Sequence, residues 1–227
     1  MNDLYSFYAQ HRNTRVMHKW DHYFEIYDRF LSPIRRSNPV VLEIGVQLGG
    51  SMEMWRDYFG PTTRLYGIDI NPEARQQEDI ATRIFIGDQQ DRGFLRSVLQ
   101  EVGQPTVVID DGGHRANQQI TSFEELYPAL TDNGIYIVED THSSLWPGVF
   151  MDRQDQQSFL QFSLARCADL MEWTGKRENF QILGSDQADS LTDTVSEFCR
   201  NTKAISFFDS MIVYERARRR VPRHTRR

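Results

Sequence analysis

Only two cysteines, Cys167 and Cys199, occur in 227 residues. They cannot form a disulfide framework or a multi-cysteine zinc site, so each is expected to be a small core hydrophobe. Long apolar runs are also missing, and none approaches the roughly 20 residues that a membrane helix needs. The opening MNDLYSFYAQHRNTR has no apolar stretch of the signal-peptide kind, so the expected location is cytoplasmic. Lysine is absent between Lys19 and Lys176. Basic residues are scarce in the body of the chain. Seven arginines lie in the last twelve residues, RARRRVPRHTRR, and without them 19 basic residues face 32 acidic ones. An acidic body is a poor platform for nucleic acid. The basic end (218–227) is expected to be a solvated, disordered tail. A composition of 39% hydrophobic and 26% charged residues excludes extended disorder for the rest.

Short apolar runs punctuate the middle: VVLEIGV (40–46), RLYGIDI (64–70), ATRIFIGD (81–88), TVVIDDG (106–112) and GIYIVEDT (134–141). Such runs suit strands buried on both faces, as in a parallel sheet. Helical stretches alternate with them: SMEMWRDYF with Ser51 as the expected N-cap, DRGFLRSVLQEV and QQITSFEELYPAL. Gly134 is expected to be the left-handed C-cap that closes the last of these. A long amphipathic stretch follows from about Asp152 to Trp173. The run 204–217, broken at Asp209-Ser210, predicts an antiparallel hairpin. The expected architecture is therefore α/β: a Rossmann-like, seven-stranded, mostly parallel sheet ending in an antiparallel hairpin, with helices on both faces. It occupies 39–217. Residues 1–38 form an aromatic helical segment, packed on the sheet, acting as a lid, or both. Its HKWDHYFEIYDRFL places Trp20, Tyr23, Phe24, Tyr27 and Phe30 at helical spacing. It also carries His11, His18 and His22.

Acids close each strand. The first runs into Glu43-Ile44-Gly45-Val46-Gln47-Leu48-Gly49-Gly50-Ser51, where glycine lets the backbone turn and approach a ligand. Gln47 stands where a dinucleotide loop would want its second glycine, which argues against an NAD(P) oxidoreductase. Asp69 ends the second strand, placed to accept ribose hydroxyls. Asp88 and Gln89 end the third, placed to bond an adenine amino group. The fourth and fifth end in Asp110-Asp111-Gly112-Gly113-His114 and Glu139-Asp140-Thr141-His142. So many carboxylates at one edge repel one another without a cation, and magnesium takes oxygen ligands. Asp111, Glu139 and Asp140 are the candidate ligands, with manganese an acceptable substitute. A hydroxyl nucleophile beside such a metal needs a base, and His114 is the candidate, with His142 second. His142, Thr141 and Trp146, together with Tyr23, are expected to meet the acceptor.

With these motifs in place, the sequence resembles the metal-dependent class I sugar O-methyltransferases, the group that modifies macrolide deoxysugars and related glycosides and includes enzymes of mycobacterial methylated polysaccharides. The motifs are HKW-x-HY (18–23), EIGVQLGGS (43–51), YGIDINP (66–72), GDQQD (87–91), IDDGGH (109–114), LTDNGIYIVEDTH (130–142) and FFDSMIVYE (207–215). The resemblance implies S-adenosylmethionine as methyl donor, held by Glu43, Gly45, Ser51, Asp69, Asp88 and Gln89 with Asp110 beside them. It implies magnesium on Asp111, Glu139 and Asp140, with His114 as base. It further implies a homodimer or higher oligomer, with the aromatic N-terminal segment supplying the contact; the expected departure from some macrolide enzymes is the lack of their extra N-terminal domain. Two other readings compete. A catechol-type O-methyltransferase would want a lysine base near the metal. A nucleic-acid-binding module would use the arginine tail.

Overall fold

In the computed structural model, which describes residues 3–10, 14–146 and 157–225, each expected run becomes a strand: β1 (Val40–Ile44), β2 (Arg64–Asp69), β3 (Thr82–Ile86), β4 (Val107–Asp110) and β5 (Ile135–Val138). The last run is the hairpin β6 (Thr202–Phe208) and β7 (Met211–Arg216). All seven form one sheet of order β3-β2-β1-β4-β5-β7-β6. β1 to β5 are parallel, and β7 runs antiparallel to both β5 and β6.

The core has two layers because successive side chains of a strand face opposite ways. Within β1, Val41 joins one layer, while Val40, Leu42 and Ile44 join the other. The first layer is covered by α1 (Asp3–Ala9), α2 (Tyr23–Leu31) and α3 (Gly50–Phe59). The second is covered by α4 (Arg92–Val102), α5 (Ala116–Leu126) and α6 (Phe159–Asp169). Short helices α7 (Glu172–Gly175), α8 (Asn179–Leu183) and α9 (Glu197–Asn201) surround a satellite cluster of Trp173, Leu183, Leu191, Val195, Cys199 and Val221. Cys199 is thus the core hydrophobe expected.

Four local details differ from the sequence reading. Gly49, at φ 80°, caps α3, while Ser51 lies inside the helix and donates its hydroxyl to Glu43 at 2.7 Å. Asn133, at φ 65°, takes the left-handed turn before β5, a conformation that asparagine tolerates. Gly134 is needed for closeness, since a Cβ there would lie 2.9 Å from both Leu130 Cβ and the Thr131 carbonyl oxygen. Trp20 lies outside α2 and is half exposed, although Tyr23, Phe24, Tyr27 and Phe30 are buried. The basic end packs as far as His224, although a disordered tail was expected. Arg219 donates to the Leu170 and Cys199 carbonyls, Arg223 pairs with Asp189, and His224 stacks on Phe180 with centroids 4.5 Å apart. Residues 152–156 of the long amphipathic stretch, and His11, lie outside the described residues. No helix among the described residues is long and apolar enough to cross a membrane.

Candidate active site

The loop after β1 turns at Gly45, with φ 91°, where a Cβ would sit 1.9 Å from the Asp111 carbonyl oxygen. No other residue fits without moving the β4 loop, so glycine here brings the ends of β1 and β4 together. The loop faces a cleft lined by Gln47, Asp69, Ile70, Asp88 and Gly112, among others. Asp69 accepts from the Gln47 amide and the Asn71 amide, both at 2.8 Å. Each carboxylate oxygen keeps a further lone pair, so the side chain is fixed yet able to accept ribose hydroxyls. Asp88 accepts from the Gln90 amide at the same strand-end level.

Other expected cofactor contacts are occupied from within. Gln89, buried, donates to Asp110 at 3.1 Å and to Ser122 at 3.0 Å, and accepts from the Gly113 amide. Burial pushes the Asp110 carboxyl up to about 6, against the pull of Gln89. This pair braces the Asp110–His114 loop from below. Glu43 is fully buried, accepting from Ser51 with one oxygen and facing Lys19 with the other at 3.8 Å.

The acids of β4 and β5 meet a group that the sequence reading missed. Lys19, from the segment before α2, places its ammonium 2.7 Å from Asp111 Oδ2 and 2.9 Å from both oxygens of Glu139. Burial opposes its charge, but Asp111, Glu139 and Glu43 together hold its pKa well above the ordinary value. Tyr27 donates its hydroxyl to Glu139 Oε1, and Tyr23 donates to Asp140 Oδ1 at 2.6 Å. Burial, joined by the Asp111 charge, raises Glu139. Lys19, Tyr23 and Tyr27 are four residues apart, and their polar tips all reach strand-end acids. That spacing was visible in the sequence, where the rings signalled a packed helix or a lid and Tyr23 an acceptor contact, but not a hold on the acids. The lysine expected only of a catechol-type enzyme is therefore present. Paired with three carboxylates and buried, it serves them as a counter-ion.

Above this layer lies a second, more open set. Asp111, His114 and Asp140 each offer one ligand atom, all within 4.8 Å of one another. His114 Nε2 stands 3.4 Å from Asp140 Oδ2 and 3.9 Å from Asp111 Oδ1. His114 (φ 56°) and Asp140 (φ 51°) both adopt left-handed backbone, which costs about 1–3 kcal/mol each and concentrates at functional sites. Asp111 spans both layers, one oxygen toward Lys19 and the other toward His114. Glu139 lies in the lower layer. Asp140 begins a turn, Thr141–Leu145, that carries Thr141, buried, and His142. Ser143 Oγ in that turn donates to the His114 carbonyl at 3.0 Å. His142 contacts Trp146, their centroids 4.9 Å apart. The structure thus gathers His142, Trp146 and Tyr23 around the acid cluster, and Asp69 and Asp88 at the neighbouring cleft.

No family model matches the chain. It is 38% identical over 136 residues to 8-demethyl-8-(2-methoxy-alpha-L-rhamnosyl)-tetracenomycin-C 3'-O-methyltransferase of Streptomyces olivaceus, covering 57% of this chain and 34% of the relative. It is 35% identical over 153 residues to mycinamicin VI 2''-O-methyltransferase of Micromonospora griseorubida, covering 64% and 38%. The chain thus spans about a third of the length of these curated relatives. Among solved structures, the MycE methyltransferase of the mycinamycin pathway, in complex with Mg, SAH and mycinamycin VI, superposes with a TM-score of 0.76 at 26% identity, over 96% of this chain and 54% of MycE. In sequence and in fold, the chain is a homologue of the sugar O-methyltransferases of macrolide and polyketide glycoside pathways and has the class I methyltransferase architecture.

Proposed function

We propose that the chain is the catalytic domain of a magnesium-dependent O-methyltransferase that moves the methyl group of S-adenosylmethionine to a hydroxyl of a sugar in a glycoside or polysaccharide precursor. The observation that carries this reading is the open set Asp111, His114 and Asp140, set beside a glycine-turned cleft with Asp69 at its edge. Relatives 35–38% identical over part of their length are sugar O-methyltransferases, and the MycE structure is a complex with Mg and SAH.

The residues fit both groups. Two carboxylates, Asp111 and Asp140, offer oxygens within 4.8 Å of each other and of the His114 imidazole, and such oxygens suit a hard cation that keeps several waters. Three carboxylates (Glu43, Asp111 and Glu139) face the single ammonium of Lys19, and a fourth, Asp140, accepts from Tyr23, which leaves a negative site for a divalent ion to offset. Asp111 and Asp140 would hold the ion, with Glu139 behind them, tied to Lys19 and Tyr27. When bound, magnesium supplies Lewis-acid polarisation of an acceptor hydroxyl.

The chain's own groups do the rest. Asp69 and Asp88 orient the nucleoside, and the Gly45 turn lets the backbone approach it. His114 Nε2 takes the proton of the attacking hydroxyl as the oxygen–methyl bond forms and the sulfur–methyl bond breaks. Tyr23 fixes Asp140 by its hydroxyl. Lys19 fixes Asp111 from below. This preorganisation leaves the acids little freedom to move as charge shifts.

Calorimetric titration with S-adenosylhomocysteine, with magnesium and with EDTA, tests the reading. Micromolar binding, followed by EDTA-sensitive methylation of glycosides, is expected. No binding under any condition would remove the methyltransferase assignment.

A further inference from the structure

A rim of three rings stands at the mouth of the acid cluster. Trp20 follows Lys19 in the chain and is 51% exposed, and Trp146 is 48% exposed. His142 lies between them. Its ring meets Trp20 edge-on, with centroids 6.2 Å apart at 88°, and meets Trp146 at 4.9 Å and 62°. The other two tryptophans, Trp55 and Trp173, are buried in the core and the satellite cluster. Large apolar rings left half exposed, on two unrelated segments that meet at one place, mark a recognition surface. His142 Nδ1 is buried there with no hydrogen-bond partner among the described residues. A buried polar atom of this kind calls for a ligand or water to satisfy it.

Both sides of the rim are tied to the cluster. The Trp20 backbone adjoins Lys19, whose ammonium bonds Asp111. His142 sits two residues past Asp140, in the turn pinned to His114 by Ser143. Whatever rests on the rim is therefore held beside Asp111, His114 and Asp140.

We propose that Trp20, His142 and Trp146 form the platform for the acceptor's sugar ring, a proposal that rests on the sugar-methylation reading. An indole face is electron-rich, and the axial C–H bonds of a pyranose carry partial positive charge. The C–H face of the sugar stacks on indole while a ring hydroxyl turns toward His114 and the carboxylates. His142 Nδ1 takes a hydroxyl of the same ring. Neither tryptophan lines the cleft of Gly45, Asp69 and Asp88 that the nucleoside would take, so the platform governs acceptor affinity.

The test uses the full chain saturated with S-adenosylhomocysteine and magnesium. Methyl α-L-rhamnoside, methyl α-D-mannoside and methyl α-D-glucoside are titrated by saturation-transfer-difference NMR. At least one should bind saturably, with the strongest transfer to protons of one ring face. Trp20→Ala and Trp146→Ala should each weaken it roughly tenfold. Trp20→Phe and Trp146→Phe should retain most of the affinity, and S-adenosylhomocysteine affinity should be unchanged throughout. Unchanged sugar affinity in the Trp20→Ala/Trp146→Ala double variant would overturn the platform. So would three glycosides that all fail to bind a parent protein that does bind S-adenosylhomocysteine. Failure of that nucleoside itself to bind the parent overturns the methyltransferase reading, and the platform with it.

Discussion

Replacing Lys19 by methionine keeps much of the side-chain volume and removes the charge. The ammonium is 2% exposed and serves Asp111, Glu139 and Glu43 at 2.7, 2.9 and 3.8 Å. Removing one partner of a buried ion pair leaves an uncompensated charge and costs about 3–5 kcal/mol. At roughly 2–4 °C per kcal/mol for a domain of this size, Tm should fall by about 6–20 °C. The sign of the pH effect is fixed by direction. The folded ammonium titrates above its ordinary 10.5, so its stabilisation is fully present below that value and lost as pH rises through the folded one. Thermal unfolding by circular dichroism at pH 7 therefore measures all of it. Lys19→Met/Glu139→Gln should recover part of the loss, because one of the stranded acids is then neutral. A melt within 2 °C of the parent, or a double variant that melts below the single one, would refute the counter-ion assignment.

Gly45→Ala should cost about 2–6 kcal/mol, combining left-handed strain with the overlap on the Asp111 carbonyl, and should abolish S-adenosylhomocysteine binding; wild-type melting would disprove the close approach. His114→Ala should lower methyl transfer about 10²–10⁴-fold while nucleoside and magnesium affinities stay within twofold; loss of magnesium binding would make it a ligand instead. Asp110 is raised from 3.8 to about 6 by burial, so its contribution is present below pH 3.8 and lost as pH rises through 6, roughly 3 kcal/mol in all. Asp110→Asn should flatten that decline, measured as the difference between variant and parent melts from pH 4 to 7; parallel curves would contradict the raised value.

The strands were legible because burial on both faces writes itself as uninterrupted runs of Val, Ile and Leu. The acids at the ends of β2 to β5 were equally plain, since strand order brings successive carboxyl ends to one edge. Lys19 was not legible. Its partners are 92 and 120 residues away, and a lone lysine among aromatics gives no periodic signal. Tyr27 read as a packed ring and Tyr23 as an acceptor contact as well; both rings are buried, and their hydroxyls hold Glu139 and Asp140. Gln89 and Glu43 were read as open to a ligand because sequence shows position at a strand end but not the partner already bonded there. The caps slipped by one or two residues at Gly49 and Asn133, where two adjacent residues could each accept the left-handed turn.

The reach of Lys19 also orders events in time. A ribosome adds about 5–20 residues per second, so roughly 6–24 seconds pass between synthesis of Lys19 and of Glu139. During that interval Glu43 emerges with β1 and Asp111 just after β4, but Glu139 and Asp140, the acids bonded by Tyr27 and Tyr23, are not yet made. The parallel sheet must bring β4 and β5 alongside before the N-terminal segment finds all of its acids. Completion of those ion pairs is then a late step of maturation, one that needs β4 and β5 in their places beside β1.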